Sequence, residues 1–215
     1  MGRPTALART IALVISGIYS IVLFSLGFEL PSWWRFVVSF LPTVVVLGVV
    51  AWDLWLWRLP GVQRFVRRPD LRGLWRVTLT PHPDSAIPDG GNRGPISAFI
   101  EVKQSFWTIY LRLYSEQSSS KSTATTWLPT YENSVDSLTF TYDNIPKVSE
   151  SHRSMRSTGA CNLMPTTLKP REIEGSYFTD RFTKGDMVLS LVDRTSGYSS
   201  FSAAAKYVEE KEPQR

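Results

Sequence analysis

The sequence predicts a membrane protein in which an N-terminal two-helix transmembrane hairpin precedes an all-β domain closed as an eight-stranded antiparallel barrel. Three observations carry this expectation. Two long apolar runs, almost free of charge, stand near the start of the chain. From Leu71 onward the pattern becomes short alternating runs bounded by Pro, Gly, Asn, Asp and Ser, the mark of strands joined by turns. That second part has no convincing helical period, and strands without helices to cover them must bury their faces against each other in a sandwich or a barrel.

A hydrocarbon core about 30 Å thick needs roughly 20 apolar residues in a helix rising about 1.5 Å per residue. Thr10 to Phe28 carries no charge and Phe36 to Leu59 carries only Asp53 and Arg58, which gives spans of about 10–28 and 36–57 within a hairpin domain 1–60. The connector Glu29 to Arg35 holds Trp33 and Trp34, rings suited to the membrane–water interface. A cleaved signal peptide is the competing reading of the first run. That run is longer than the usual 7 to 15 residues or so, no small-residue cleavage pattern follows it, and a second span comes at once. Arg3 and Arg9 precede the first span and Arg58, Arg64, Arg67 and Arg68 follow the second, against Arg35 alone between them, so both termini are expected on the cytoplasmic side. Asp53 either reaches water near that interface or meets a neighbouring helix, since intramembrane carboxylates are costly.

The net charge of +5 does not argue for DNA or RNA, because much of the excess sits in the membrane-proximal stretch Arg58 to Arg68. Those arginines, on a basic linker at 61–70, are expected to set topology and meet anionic membrane lipids. The single cysteine, Cys161, excludes an internal disulfide, and His82 and His152 make no cluster of metal-ligand spacing, so neither metal nor cofactor is expected.

The barrel domain is expected over 71–201, with strands at 71–80, 95–104, 106–115, 118–128, 136–144, 156–164, 172–182 and 186–193. The loop at 81–94 is rich in Pro and Gly, and Phe182 to Asp186 reads as a hairpin turn in which Gly185 takes a positive φ. Residues 202–215 read as a polar tail. An eight-stranded barrel can hold one small ligand, which is the step from fold to a binding function.

Enzymatic readings are weak. The run around Lys121 lacks the glycines and helix of a phosphate loop, and no nucleophile elbow orients a serine toward His82 or His152. The chain is therefore not expected to be an enzyme. It does hold what an anionic, base-bearing ligand needs: Trp75, Tyr110, Tyr142 and Tyr177 for stacking, Gln104, Ser118, Ser120 and Thr179 for hydrogen bonds, and Arg153, Arg156 and Arg181 for charge. Each also has a plain structural reading, Trp75 and Tyr142 as core, Arg181 as a solvated cation, the serines as an outer face. Alternation puts Gly175, Tyr177, Thr179 and Arg181 on one face of the seventh strand and Gly73, Trp75 and Val77 on one face of the first.

Two spans followed by Leu71-Arg-Gly-Leu-Trp-Arg-Val77, then the stretches 102–124, 138–146 and 174–191, resemble the two-transmembrane, β-strand-rich effectors of bacterial CBASS anti-phage systems. The more specific pieces are Gly73 with Trp75, Gln104 followed by Ser118 and Ser120, the strand end Tyr142 to Pro146, and Gly175 and Tyr177 with Thr179, Arg181 and Gly185. Family members tend to carry His two residues before the glycine of the sixth strand, where this chain has Ser157 before Gly159. The resemblance implies a protein of the bacterial inner membrane with its barrel in the cytoplasm. That barrel binds a cyclic dinucleotide from a partner nucleotidyltransferase, and the residues whose chemistry fits such a ligand are Trp75, Gln104, Tyr110, Ser118, Ser120, Tyr142, Arg156, Tyr177, Thr179 and Arg181. Binding then drives homo-oligomerisation of the hairpins, membrane disruption and abortive infection. The alternatives are a membrane-tethered, lipocalin-like carrier of a lipid or other apolar ligand, and a scaffold that binds protein partners on a strand face.

Overall fold

The structure, a computed structural model, describes residues 4–25, 32–87, 91–129, 135–150, 155–195, 197–198 and 200–211. The chain divides into two compact units.

The first unit comprises Met1–Val62 with Ser105–Thr108. It holds helices α1 (Pro4–Ser25) and α2 (Ser32–Leu54) and the short turn Leu56–Arg58, and the short helix α3 (Pro60–Val66) follows in the chain. The expected connector lies partly outside the described residues, and its remainder, 32–35, begins α2. Among the described residues no helix is long and apolar enough to cross a membrane, so the expected transmembrane hairpin is not supported by them. Asp53 is buried at 3% exposure rather than reaching water. Its carboxylate accepts the Trp107 N–H at 3.2 Å, and its carbonyl accepts the Phe106 N–H at 3.0 Å.

The second unit, Gln63–Gln104 and Ile109–Arg215, contains the expected eight-stranded antiparallel barrel. Its strands are β1 (Gly73–Pro81), β2 (Ile96–Gln104), β3 (Ile109–Tyr114), β4 (Ser118–Leu128), β5 (Ser137–Pro146), β6 (Ser157–Met164), β7 (Glu172–Thr179) and β8 (Lys184–Asp193). Each pairs with its neighbour in sequence, and β1 pairs with β8 to close the sheet and remove its edges. Alternate residues therefore face inward. They are Trp75, Val77 and Leu79 on β1, Leu138, Phe140, Tyr142 and Asn144 on β5, and Ser157, Cys161 and Leu163 on β6.

The interior changes character along the barrel. One end is packed solid by Leu71, Trp75, Val102, Leu138, Leu163, Ile173 and Leu189, all at most 1% exposed. A glycine at 73 with φ of 121° lets β1 pass within contact of the Asp193 carbonyl, and a bulge follows between Leu74 and Trp75. The other end, where β1, β3, β5 and β7 finish, is open.

Two local expectations change. In the turn between β7 and β8 the positive φ of 59° belongs to Phe182, while Gly185 lies within β8 because a side chain there would meet the Thr80 carbonyl and the Tyr177 ring. Residues 202–211 of the expected polar tail, with Phe201 before them, form helix α4 (Phe201–Lys211). Ser200 Oγ accepts the Ala203 N–H at 3.2 Å as a cap, and alanines at 203–205 favour the helix. Ala204 and Val208, four apart, pack on Leu74 and Phe99, the outward side chains of β1 and β2. The far end is held by Lys211 Nζ and the Tyr207 hydroxyl, which both donate to the Asp193 carboxylate.

Candidate functional site

The open half of the barrel encloses a cavity of about 1000 Å³. Its floor is apolar, with Ile100, Leu111, Phe140, Cys161 and Met187, and its upper wall is polar, with Ser118, Ser120, Asn144, Ser157, Thr179 and Arg181. That volume is at the upper end of the roughly 300–1,000 Å³ of small-molecule pockets.

Two tyrosines line this space, each made possible by a glycine directly across the sheet. Tyr142 pairs with Gly159, and a Cβ on Gly159 would stand 2.5 Å from the Tyr142 Cζ and hydroxyl. Tyr177 pairs with Gly185, whose Cβ would stand 2.9 Å from the Tyr177 Cε1. Each ring thus fills the room its partner leaves, which fixes its tilt. Burial raises the Tyr142 phenol above its ordinary pKa, with smaller contributions from Cys161 and Tyr177. Burial likewise raises Tyr177, and pushes the Cys161 thiol up to about 12. All three are neutral at physiological pH, so the rings offer faces and hydroxyls rather than charge, and the thiol is no nucleophile.

The hydroxyl groups fall into three sets. Ser118 is tied into the β3–β4 turn, its N–H donating to Ser115 Oγ at 3.0 Å and its own Oγ lying 3.1 Å from it. Thr179 organises the β7–β8 turn: its Oγ1 meets Thr183 Oγ1 at 2.6 Å and accepts the Arg181 N–H at 3.2 Å, which sets Arg181 at the mouth. Ser120 Oγ donates to Asn144 Oδ1 at 3.0 Å. Among the described residues Arg181 is the cation placed at the cavity; Lys121, between the inward Ser120 and Ser122, pairs across the sheet with Asp143 on the outer face.

Of the residues singled out from the sequence, Ser118, Ser120, Tyr142, Tyr177, Thr179 and Arg181 line this one cavity. Four others lie elsewhere. Trp75 is fully buried in the packed end, its Nε1 donating to the Leu71 carbonyl at 2.8 Å and Arg194 lying 5.5 Å over its ring. Gln104 braces the lead-in to β1, accepting the Leu71 N–H at 2.8 Å and donating to the Pro69 carbonyl at 2.9 Å. Tyr110 is 41% exposed, on the face of β3 opposite the inward Ile109 and Leu111. Arg156 pairs with Asp143 at 2.7 Å outside the cavity. Arg153 and His152 lie outside the described residues. Asn144, Ser157 and Cys161 line the cavity without having been singled out for it, since a serine or asparagine on a strand carries no distinguishing sequence signal. Their inward parity with Tyr142 and Gly159 is the one mark that places them there.

Comparison with known proteins gives two findings. The family described as "Cap15, cyclic dinucleotide receptor domain" matches residues 66–190. The CD-NTase-associated protein 15 of Staphylococcus schleiferi is 22% identical over 156 residues, 73% of this chain and 79% of that protein.

Proposed function

Since the chain belongs to the Cap15 cyclic dinucleotide receptor domain family, we propose that its barrel takes a cyclic dinucleotide into the open cavity and that the chain is an effector of CBASS anti-phage immunity. The observation that carries this reading is the cavity itself, where two ring faces, a mouth arginine and neutral hydrogen-bonding groups converge on about 1000 Å³. Bases stack on aromatic faces with about 1–3 kcal/mol each. Phosphates seek charge-assisted hydrogen bonds, which Arg181 is placed to give. A dinucleotide offers two bases and two phosphates, and the cavity has Tyr142 and Tyr177 for the bases and Arg181 for a phosphate.

The membrane half of the proposal rests on the apolar runs 10–28 and 36–57. The helices of 22 and 23 residues reach about 33 Å at about 1.5 Å per residue. They carry exposed Leu13, Ile15, Ile21, Phe24, Val44 and Leu47, apolar surface that calls for lipid or another copy. In this reading the chain sits in a bacterial inner membrane with the barrel in the cytoplasm, and a messenger from a partner nucleotidyltransferase favours an assembled state of the hairpins that disrupts the bilayer. A ligand shifts such an equilibrium only by its differential affinity, and about 5.5 kcal/mol takes it from mostly off to mostly on. Expression with an active nucleotidyltransferase is expected to arrest growth, and deletion of residues 1–58 or Arg181→Ala to abolish the arrest. Arrest that survives the deletion would assign the damage to the barrel instead.

The apolar floor formed by Leu111, Phe140 and Met187 is the observation that favours the second reading, a lipid carrier. Native mass spectrometry of the full chain from cells separates the two. A bound lipid favours the carrier, a bound dinucleotide the receptor.

A further inference from the structure

Ser120, Asn144 and Ser157 form a row across three neighbouring strands, because Ser120 pairs with Asn144 and Asn144 with Ser157 in the register of β4, β5 and β6. All three line the cavity. The row is only half satisfied. Ser120 Oγ donates to Asn144 Oδ1, which turns the Asn144 Nδ2 into a donor with no hydrogen-bond partner among the described residues. Ser157 is 2% exposed, and its Oγ has no partner among them either. Buried hydroxyls are ordinarily paired. The other buried serines of the barrel follow that rule, Ser120 through Asn144 and Ser85 by donating to the Lys184 carbonyl at 2.6 Å. Ser157 is an exception that faces a cavity, in the middle of the polar wall.

The chemistry of the row selects what it can hold. It carries no formal charge, whereas Arg181, the cation placed at the cavity, stands at the mouth. Phosphate goes to cations, so the row suits a neutral, polar edge. Asn144 lies two residues from Tyr142 on the same face of β5, about 7 Å away at the rise of a strand. A base lying on the Tyr142 ring therefore brings its edge to the row. A purine presents there the N7 acceptor and, beside it, an exocyclic group at C6 that accepts in guanine and donates in adenine; a pyrimidine has no N7. An asparagine amide is the side chain that reads N7, and a hydroxyl serves either C6 group because it both donates and accepts.

Resting on the reading of the cavity as a cyclic dinucleotide pocket, we propose that Asn144 and Ser157 form a purine-reading subsite. Asn144 Nδ2 donates to N7 of one base, Ser157 Oγ bonds the exocyclic group at C6, and Ser120 positions the asparagine amide. In this chain Ser157 thus supplies a contact at the place where related effectors tend to carry histidine.

Calorimetry on the full chain in detergent tests this with four probes: cyclic diguanylate, cyclic diadenylate, cyclic diuridylate and the 7-deaza analogue of whichever dipurine binds. The expected result is that a dipurine binds about tenfold or more better than diuridylate and that 7-deaza substitution weakens it by about 10- to 100-fold. Asn144→Asp, which replaces the donor by an acceptor in the same volume, is expected to weaken the dipurine similarly and to leave little further loss from the 7-deaza change. Ser157→Ala is expected to weaken the dipurine while keeping the N7 dependence. Diuridylate binding as tightly as a dipurine, or an unmodified affinity for the 7-deaza ligand, overturns the subsite, and those two comparisons use the unaltered protein should a variant fail to fold. If Arg181→Ala weakens dinucleotide binding while Asn144→Asp and Ser157→Ala do not, the pocket stands and the subsite falls. No heat with any cyclic dinucleotide removes both.

Discussion

Tyr142 and Gly159 are partners across β5 and β6, and the tyrosine ring occupies the room where the glycine has no side chain. This pair couples the shape of the sheet to the shape of the cavity, since the ring's position depends on the bare backbone opposite. A Cβ at 159 would also stand 2.6 Å from the Phe178 carbonyl, which is fixed in the sheet and cannot yield. Gly159→Ala is expected to destabilise the barrel by about 1–3 kcal/mol and to weaken ligand binding by displacing the ring. A thermal melt and a titration on the same sample check both effects. A variant that keeps its melting temperature and its affinity would show that the ring's seat does not matter.

Tyr177 lies over Gly185 in the same manner, so its ring face rather than its hydroxyl is expected to carry the contact. Tyr177→Ala should weaken dinucleotide binding by about 1–3 kcal/mol, and Tyr177→Phe by much less. Equal losses from both changes would assign the role to the phenol.

Arg181 stands at the mouth with its backbone N–H held by Thr179 Oγ1. Arg181→Ala is expected to lower affinity and to flatten the dependence of affinity on salt, because a cation–phosphate contact is screened. Affinity measured at two salt concentrations for both proteins checks this.

Trp75 and Gln104 are expected to behave differently from the cavity residues. Trp75→Ala should cost about 3–5 kcal/mol of stability, the range for emptying a large buried aromatic site, with ligand affinity following only through the fold. Gln104→Ala leaves the Leu71 N–H and the Pro69 carbonyl without their partner, at about 1–3 kcal/mol. Denaturant unfolding followed against ligand titration separates stability from binding.

The docking of α4 has a pH signature. Hydrogen bonds from Lys211 and Tyr207 hold the Asp193 carboxyl below its usual range, and the same carboxylate raises Lys211. A depressed acid contributes stability above its unfolded pKa and loses it as pH falls, and a raised lysine contributes below its own and loses it as pH rises. The helix is therefore expected to be held best between about pH 5 and pH 10, the interval between the ordinary carboxylate and lysine ranges. The effect is small, because the pair is partly exposed and water screens it. Amide exchange over 201–211 at pH 3, 7 and 11 checks it, and Asp193→Asn should abolish the difference between pH 3 and pH 7.

How much of this was legible in the sequence depended on the kind of signal. The strands of the barrel were, because alternation is a property of each run by itself. The set Tyr177, Thr179 and Arg181 was legible as one face, and that face points inward. Which face is inside was not, and for that reason Tyr110 and Arg156 carry the right chemistry on the outside of the sheet. Trp75 and Gln104 have the right parity but the wrong depth: strand alternation does not say where along the barrel the packing ends and the cavity begins. Helix α4 had a signal in Ser200 before an alanine run with Lys206 and Glu210 at helical spacing, obscured by its polar composition. Ser157 was visible only as a departure from a histidine, and that its hydroxyl has no partner among the described residues is a property of three strands together.

The central claim is that the open half of the barrel is a cyclic dinucleotide pocket. Its most direct test is calorimetry of the full chain against a panel of cyclic dinucleotides, with Arg181→Ala alongside. The expected result is saturable heat with at least one of them and a weakened response in the variant. No heat and no shift in melting temperature with any member of the panel would contradict it.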